Sequence, residues 1–388
     1  MPIPGPGRSV LLSLSPDQEF FRDTTARFLT EHASPAEIRR LRDDPVGYGA
    51  RYWQLGAELG WTSLLVDEEH GGGSISGDSV VDLTLVAHEF GRHAAPGPLV
   101  PTNLVAHALS QCSTDRHAAV LAGLLGGTSI VSWCYREPRP DDGLGDVALD
   151  ARSDGSDLVL NGVKRPVEAA ERATHLMVTG RTGDGLTQVL VPSDTAGVSI
   201  RPMHTVDLTR RFSEVTFGDV RLPVGAVIGE IGGAGRQVER QLQLAMVMAN
   251  AESVGAMQFA LDLTIEWAFD RYSFGRPLAS YQELKHRFAD MKTWLEAGHA
   301  ISDRAAEAVS SGAADAGELV SAAKAFIGAY GSELLQDCVQ IHGGIGLTFE
   351  HDIHLFLRRV TVNRALYGTP SQHRQRITTI MENARGAA

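Results

Sequence analysis

The stretch Arg271-Tyr272-Ser273-Phe274-Gly275-Arg276-Pro277-Leu278-Ala279-Ser280-Tyr281-Gln282 interrupts a long helical region. Upstream, Leu242, Ala245, Met246, Ala249, Ser253, Ala256, Met257, Ala260, Leu261, Thr264, Trp267 and Ala268 recur at steps of three and four, which marks a buried helical face. Gly275 and Pro277 stop that helix. Leu284, Phe288, Met291 and Leu295 then form the apolar face of the next. A short rigid corner thus holds a guanidinium, an aromatic ring and an amide. Arg clamps a phosphate bidentately, Phe covers a flat ring, and Gln bonds a polar edge, a set that suits a dinucleotide. The same corner also reads as an ordinary helix–helix turn with Arg271 on its surface, because single arginines at helix ends are common.

Outward from the corner, the pattern divides the chain in three. Ser15-Pro16-Asp17-Gln18 predicts a helix start, with Ser as N-cap, Pro at the first helical position and Gln closing a capping box. Helical patterns follow near 49–59, from Val80 to Phe90, and over 102–109 and 116–125. From about Gly126 the pattern changes to short β-branched runs near 130–135, 147–152, 158–163, 175–179, 187–191, 198–202 and 214–217. Asp154-Gly155, Asn161-Gly162 and Gly183-Asp184-Gly185 punctuate them as turns. The reading is α+β: a helical domain over 1–125, a central β-barrel or sandwich over 126–230, and a C-terminal helical bundle over 231–388. Its last helices are placed at 318–341 and 351–362. Gln340-Ile341-His342-Gly343-Gly344-Ile345-Gly346 closes the first of these; its glycines allow close backbone approach to a ligand or simply end a helix. No glycine loop joins a strand to a helix in a βαβ unit, so a Rossmann site is not expected.

Of 388 residues, 43% are hydrophobic and 21% charged, as in ordinary globular chains with a large core. The net charge of −12 argues against nucleic acid or an anionic membrane surface as partner. Cys112, Cys134 and Cys338 are scattered and odd in number, which suggests reduced thiols in a cytoplasmic setting. The first seven residues are rich in Pro and Gly and suggest a disordered tip, with no apolar span of membrane length near them.

The helical–β–helical order, R-x-x-F-G with Gln282, and Q-x-x-G-G-x-G at Gln340 to Gly346 resemble the acyl-CoA dehydrogenases. Asn161-Gly162-Val163-Lys164 and Asp207-Leu208-Thr209-Arg210-Arg211 resemble further stretches of that family, and the likeness runs from Ser15 to about Met381. The resemblance implies FAD as cofactor, an acyl-CoA substrate and electron-transfer flavoprotein as acceptor. It implies a carboxylate that takes the Cα proton while the flavin takes the Cβ hydride, the two flanking one bond in a thin slot. It implies an FAD lying across a subunit interface, with one chain holding the flavin ring and its neighbour clamping the pyrophosphate and adenine. By resemblance Arg271, Phe274, Gln282, Gln340, Gly343 and Gly344 are that clamp.

The chain departs from the family where the chemistry would occur. A catalytic Glu is expected in a turn that here reads Ala365-Leu366-Tyr367-Gly368-Thr369, and Tyr367 stands in its place. An alternative Glu position on the helix before Arg271 falls on Ala245. A phenol of ordinary pKa about 10 is a poor base at neutral pH. Glu252 lies on the same helix face, but two turns from Ala245, about 10 Å away. On the flavin side, Glu137-Pro138 is followed by Arg139-Pro140-Asp141-Asp142 in place of Gly-Ser-Asp. Pro166 and Glu168 replace the Trp and Thr of the strand that faces the ring. These features resemble the Glu-lacking subunit of α2β2 bacterial acyl-CoA dehydrogenases of steroid catabolism, which would need a homologous, Glu-bearing partner. A self-sufficient flavoenzyme with a displaced base and a flavin-free homologue stay open. His351, Asp352 and His354 are read as part of a helix and not as metal ligands; Cys134 is read as core, and His286 as packing on Gln282 one turn earlier.

Overall fold

The computed structural model describes residues 13–44, 47–112, 115–138, 146–183 and 185–386. The N-terminal tip, the 139–142 stretch and Asp184 lie outside them. Helices α1 (Pro16–His32), α2 (Pro35–Leu41), α3 (Ala50–Glu58), α4 (Ser79–Arg92), α5 (Leu99–Ser110) and α6 (Ala118–Leu125) come first. Strands β1 (Val131–Cys134), β2 (Asp150–Asp154), β3 (Asp157–Glu168), β4 (His175–Thr182), β5 (Gly185–Pro192), β6 (Val198–Met203), β7 (Phe212–Pro223) and β8 (Val227–Ile228) follow. Helix α7 (Gly235–Asp270) leads to a small hairpin, β9 (Tyr272–Ser273) and β10 (Arg276–Pro277), and then to α8 (Gln282–Ser310), α9 (Ala316–His342), α10 (Ile353–Ala365) and α11 (Pro370–Gly386).

These elements form two compact units. One takes in the chain up to Glu37, Val80–Ala95 and Met246–Ala388, and is helical apart from the hairpin. The other takes in Ile38–Ser79 and Pro96–Ala245 and holds one eight-stranded sheet in the order β6-β7-β3-β2-β4-β5-β8, with β1 beside β4. Most pairings are antiparallel; β4 pairs parallel with β1 and β2. Leu158, Leu160, Leu176, Val178, Val189, Val191, Val215 and Phe217 fill the core of the sheet. Each such side chain contributes about 1.5–3 kcal/mol when fully buried. Strand β3 slips register against β7 between Lys164 and Val167, which re-aims the end of the strand that carries Glu168.

The helix starts follow from their caps. Ser15 Oγ accepts from the Gln18 amide at 3.2 Å while Gln18 Oε1 accepts from the Ser15 amide at 3.0 Å, the expected capping box. Thr369-Pro370-Ser371-Gln372 repeats that device: Thr369 Oγ1 accepts from Gln372 N at 3.3 Å and Gln372 Oε1 from Thr369 N at 2.9 Å. It starts α11, a helix beyond the last one expected from the sequence, and α2 is likewise additional. Among the described residues α7 alone is long and apolar enough to cross a membrane; 94% of its most apolar window is buried in the protein, as befits a core helix.

Candidate functional site

The long helix ends at Asp270, ahead of the expected breakers Gly275 and Pro277, and the chain then reverses in a two-residue turn at Phe274-Gly275. Phe274 has φ +49° and Gly275 φ +82°, so both central residues are left-handed, as a tight hairpin between right-twisted strands requires. Glycine takes that conformation freely; an aromatic residue is strained in it. The strained Phe274 is also 98% exposed, so its ring packs on nothing in its own chain. Such strain persists where the surroundings enforce it. The Arg271 carbonyl accepts from the Leu278 amide at 2.8 Å, Tyr281 Oη donates to the Ser273 carbonyl at 2.7 Å, and Arg276 lies 3.8 Å over the Tyr281 ring.

The second glycine stretch sits beside this corner. Helix α9 ends at His342, and Gly343 at φ +69° turns the chain away. Around both Gly343 and Gly344 a Cβ would meet open space. Trp267, one turn before Arg271, stacks on His342 with ring centroids 5.3 Å apart and planes at 22°. That contact places the ends of α7 and α9 together, and with them Arg271 and Gly343. Arg271, Gln282, Gln340, Gly343 and Gly344 are all exposed. Trp267 and His342 are residues not assigned to a site from sequence; the signal lay in their positions, one turn before Arg271 and directly before Gly343. His286, expected against Gln282, is exposed, as is Gln282 itself. His351 takes part in the same ring cluster, 4.4 Å from His342, and accepts from the Ile353 amide at 3.1 Å.

The positions where a base is expected hold none. Tyr367 is buried at φ +58° in the turn between α10 and α11, and its carbonyl pairs with His373 Nε2 at 3.0 Å. Ala245 is fully buried. Glu252 is engaged elsewhere: fully buried Arg359 donates to its Oε1, and Asn363 Nδ2 donates to Oε2 at 2.7 Å. Arg359 also donates to the Ala95 carbonyl at 2.9 Å, so the network ties α7, α10 and the segment after α4 together. A carboxylate held by two donors on both oxygens serves structure. Tyr367→Phe is expected to leave turnover of the assembled enzyme within a few-fold; a loss of about 10²–10⁴-fold in steady-state rate would make Tyr367 an acid–base group.

The sheet keeps part of the expected pattern and closes the rest. Glu137 Oε1 accepts from Lys164 Nζ at 2.7 Å and from the Leu149 amide at 2.8 Å, with Lys164 fully buried. Burial pushes the Glu137 carboxyl up, but Lys164 and the backbone amides outweigh it and hold the group below the usual carboxylate range. At the end of β3, Glu168 receives Arg210 bidentately, Nε to Oε1 at 2.7 Å and Nη2 to Oε2 at 2.5 Å, both residues buried. A pocket lined by Tyr48, Ala169 and Arg172 lies beside the pair. Thr209 donates to Asp207 Oδ1 through both its amide and its hydroxyl, at 2.8 and 2.9 Å. Arg211 binds the Asp44 and Leu41 carbonyls at 2.8 and 2.9 Å. Cys134 is core, as expected, and burial lifts its thiol to about 12.

Comparison with known proteins decides the family. The N-terminal domain family of acyl-CoA dehydrogenases matches residues 15–127 and the C-terminal domain family matches residues 233–381. The acyl-CoA dehydrogenase IpdE2 of Mycolicibacterium smegmatis is 30% identical over 367 residues, covering 94% of this chain and 98% of the relative. This chain belongs to the acyl-CoA dehydrogenase family. Its fold matches a structure described as a variant of the Tcur3481-Tcur3483 steroid ACAD with TM-score 0.86 and 25% identity, over 95% of this chain and 98% of that one. It also matches a chain of the ChsE4-ChsE5 complex from Mycobacterium tuberculosis with TM-score 0.85 and 19% identity, over 95% and 98%.

FAD is the cofactor of the family. Two separate stretches of this chain bear on how it would be held. The exposed guanidinium, the outward ring of Phe274, two exposed glutamines and the uncovered Gly343-Gly344 backbone offer the donor set of a pyrophosphate and adenine clamp. At the end of β3, where the resemblance would place the flavin ring, the Glu168 carboxylate is closed into an ion pair with Arg210.

Proposed function

We propose that this chain is the subunit without a catalytic Glu in a heteromeric FAD-dependent acyl-CoA dehydrogenase. In this reading it lends the pyrophosphate and adenine contacts to a homologous chain that holds the flavin ring, the substrate and the base. The observation that carries the proposal is the asymmetry between an exposed clamp and a closed ring-side strand. Bound FAD supplies the hydride acceptor for α,β-dehydrogenation of an acyl-CoA thioester; this chain's own part is binding. Arg271 neutralises and orients a phosphate, Phe274 covers a flat group, Gln282 and Gln340 bond polar edges, and the open space at Gly343 and Gly344 lets the backbone approach the ligand closely where a side chain would obstruct. The steroid dehydrogenase neighbour, itself named for two proteins, supports both the pairing and a steroid-type acyl thioester as substrate of the assembly. Electron-transfer flavoprotein is the acceptor in this reading.

The test is Arg271→Ala in the complex copurified with the homologous chain. It removes a charge-assisted contact worth roughly 1.5–3 kcal/mol, so the FAD dissociation constant should rise about 10- to 150-fold. Full flavin occupancy at low FAD concentration in that variant would refute the clamp.

A further inference from the structure

We propose that Trp267 and His342 are positioning residues that couple the Arg271 corner to the Gly343-Gly344 turn, making one rigid clamp face from two separate motifs. The proposal rests on the clamp reading above but concerns residues that never touch the ligand. Four groups cluster here. The Arg271 guanidinium lies 5.9 Å over the Trp267 ring, Trp267 is stacked on His342 at 5.3 Å, and His351 packs at an angle against both rings, 4.4 Å from His342 and 6.2 Å from Trp267. His342 is 4% exposed, and its ring is pinned: Nδ1 lies 2.8 Å from the Cys338 carbonyl. A carbonyl only accepts, so Nδ1 carries the hydrogen. Burial pushes the ring's pKa down, with the neighbouring His351 acting in the same direction against the helpful Cys338 carbonyl. His342 is therefore neutral at neutral pH, and the stack adds no cation beneath Arg271.

The physical need for such a stack is entropic. An exposed Arg has about 2 kcal/mol of rotamer freedom, which phosphate binding must remove. A flat ring under the guanidinium restricts that freedom beforehand and keeps the planar fork facing outward. The turn after α9 has a related need. Gly343 and Gly344 are open to solvent with no side chains to anchor them; the Gly343 amide donates to the Gln340 carbonyl, and the turn follows directly on the buried His342 ring. Because His342 is packed on Trp267, neither motif moves without the other.

Two readouts test this. The first is hydrogen exchange on the full chain. Trp267→Leu should speed exchange of amides 343–346, and His342→Leu should speed exchange of amides 272–276, each across the stack. Trp267→Phe, which keeps a flat ring, should restore protection. The second is FAD affinity of the copurified complex. Both Leu variants should weaken it about tenfold, the double variant little more than either alone, and Trp267→Phe should stay near wild type, with thermal unfolding unchanged throughout. Absence of cross-stack exchange changes, or a Trp267→Phe variant as impaired as Trp267→Leu, would overturn the proposal. Arg271→Ala is the separate control: if it leaves FAD affinity intact the clamp reading fails, while the exchange experiment still decides the coupling.

Discussion

Purified by itself, the chain will hold no stoichiometric flavin and will oxidise no acyl-CoA thioester; copurified with a Glu-bearing homologue it will carry about two FAD per four chains. In a homotetramer each cofactor would meet a good clamp from one subunit and a closed ring side from its neighbour. At the end of β3 it would face Glu168 bound to buried Arg210. At the expected base positions it would face Tyr367 and Ala245, while Glu252 is held by Arg359 and Asn363. Pairing with a homologue repairs half the interfaces and leaves the others empty, whereas a self-sufficient homotetramer would bind four. Closed symmetric assembly is the usual state for such chains. Native mass and flavin absorbance per protein, measured for the chain alone and for the pair, check the ratio. A fully yellow homotetramer that turns over acyl-CoA unaided would overturn the reading.

Arg210→Met will destabilise the chain by about 3–5 kcal/mol, because it leaves the Glu168 carboxylate buried without its partner. That is a large share of the about 5–15 kcal/mol by which folded domains are stable. Replacing both residues, Glu168→Leu with Arg210→Met, should recover most of the loss, since a well-packed apolar pair is often as stable as a buried ion pair. Urea denaturation followed by circular dichroism measures both. The result bears on function: a Glu168–Arg210 pair that supports the fold is a fixed part of the sheet and not a ligand set awaiting a flavin. A loss below about 1 kcal/mol for Arg210→Met, the scale of an exposed pair, would mean that the pair opens readily and that the ring side is accessible.

Local sequence alone determined the order of helices, sheet and helices, and it located the hairpin corner, because those rest on periodicity and on Gly and Pro. The capping signal at Ser15-Pro16-Asp17-Gln18 was equally legible. Its twin at Thr369-Pro370-Ser371-Gln372 was present but unread, and α11 was missed with it; the helix carries only a weak apolar stripe, so periodicity gave no second cue. That Tyr367 and Ala245 stand where the resemblance expects a carboxylate was also read from the residues. What only the tertiary structure decided were contacts between residues far apart in sequence. Nothing in the order of residues says that Arg359 and Asn363 hold Glu252, that Arg210 closes on Glu168, or that Trp267 lies on His342. A carboxylate's role depends on which donors folding brings to it, and a ring's on what it is stacked against. Those are properties of packing, and the strained, exposed Phe274 is intelligible only once that packing shows that no part of its own chain covers it.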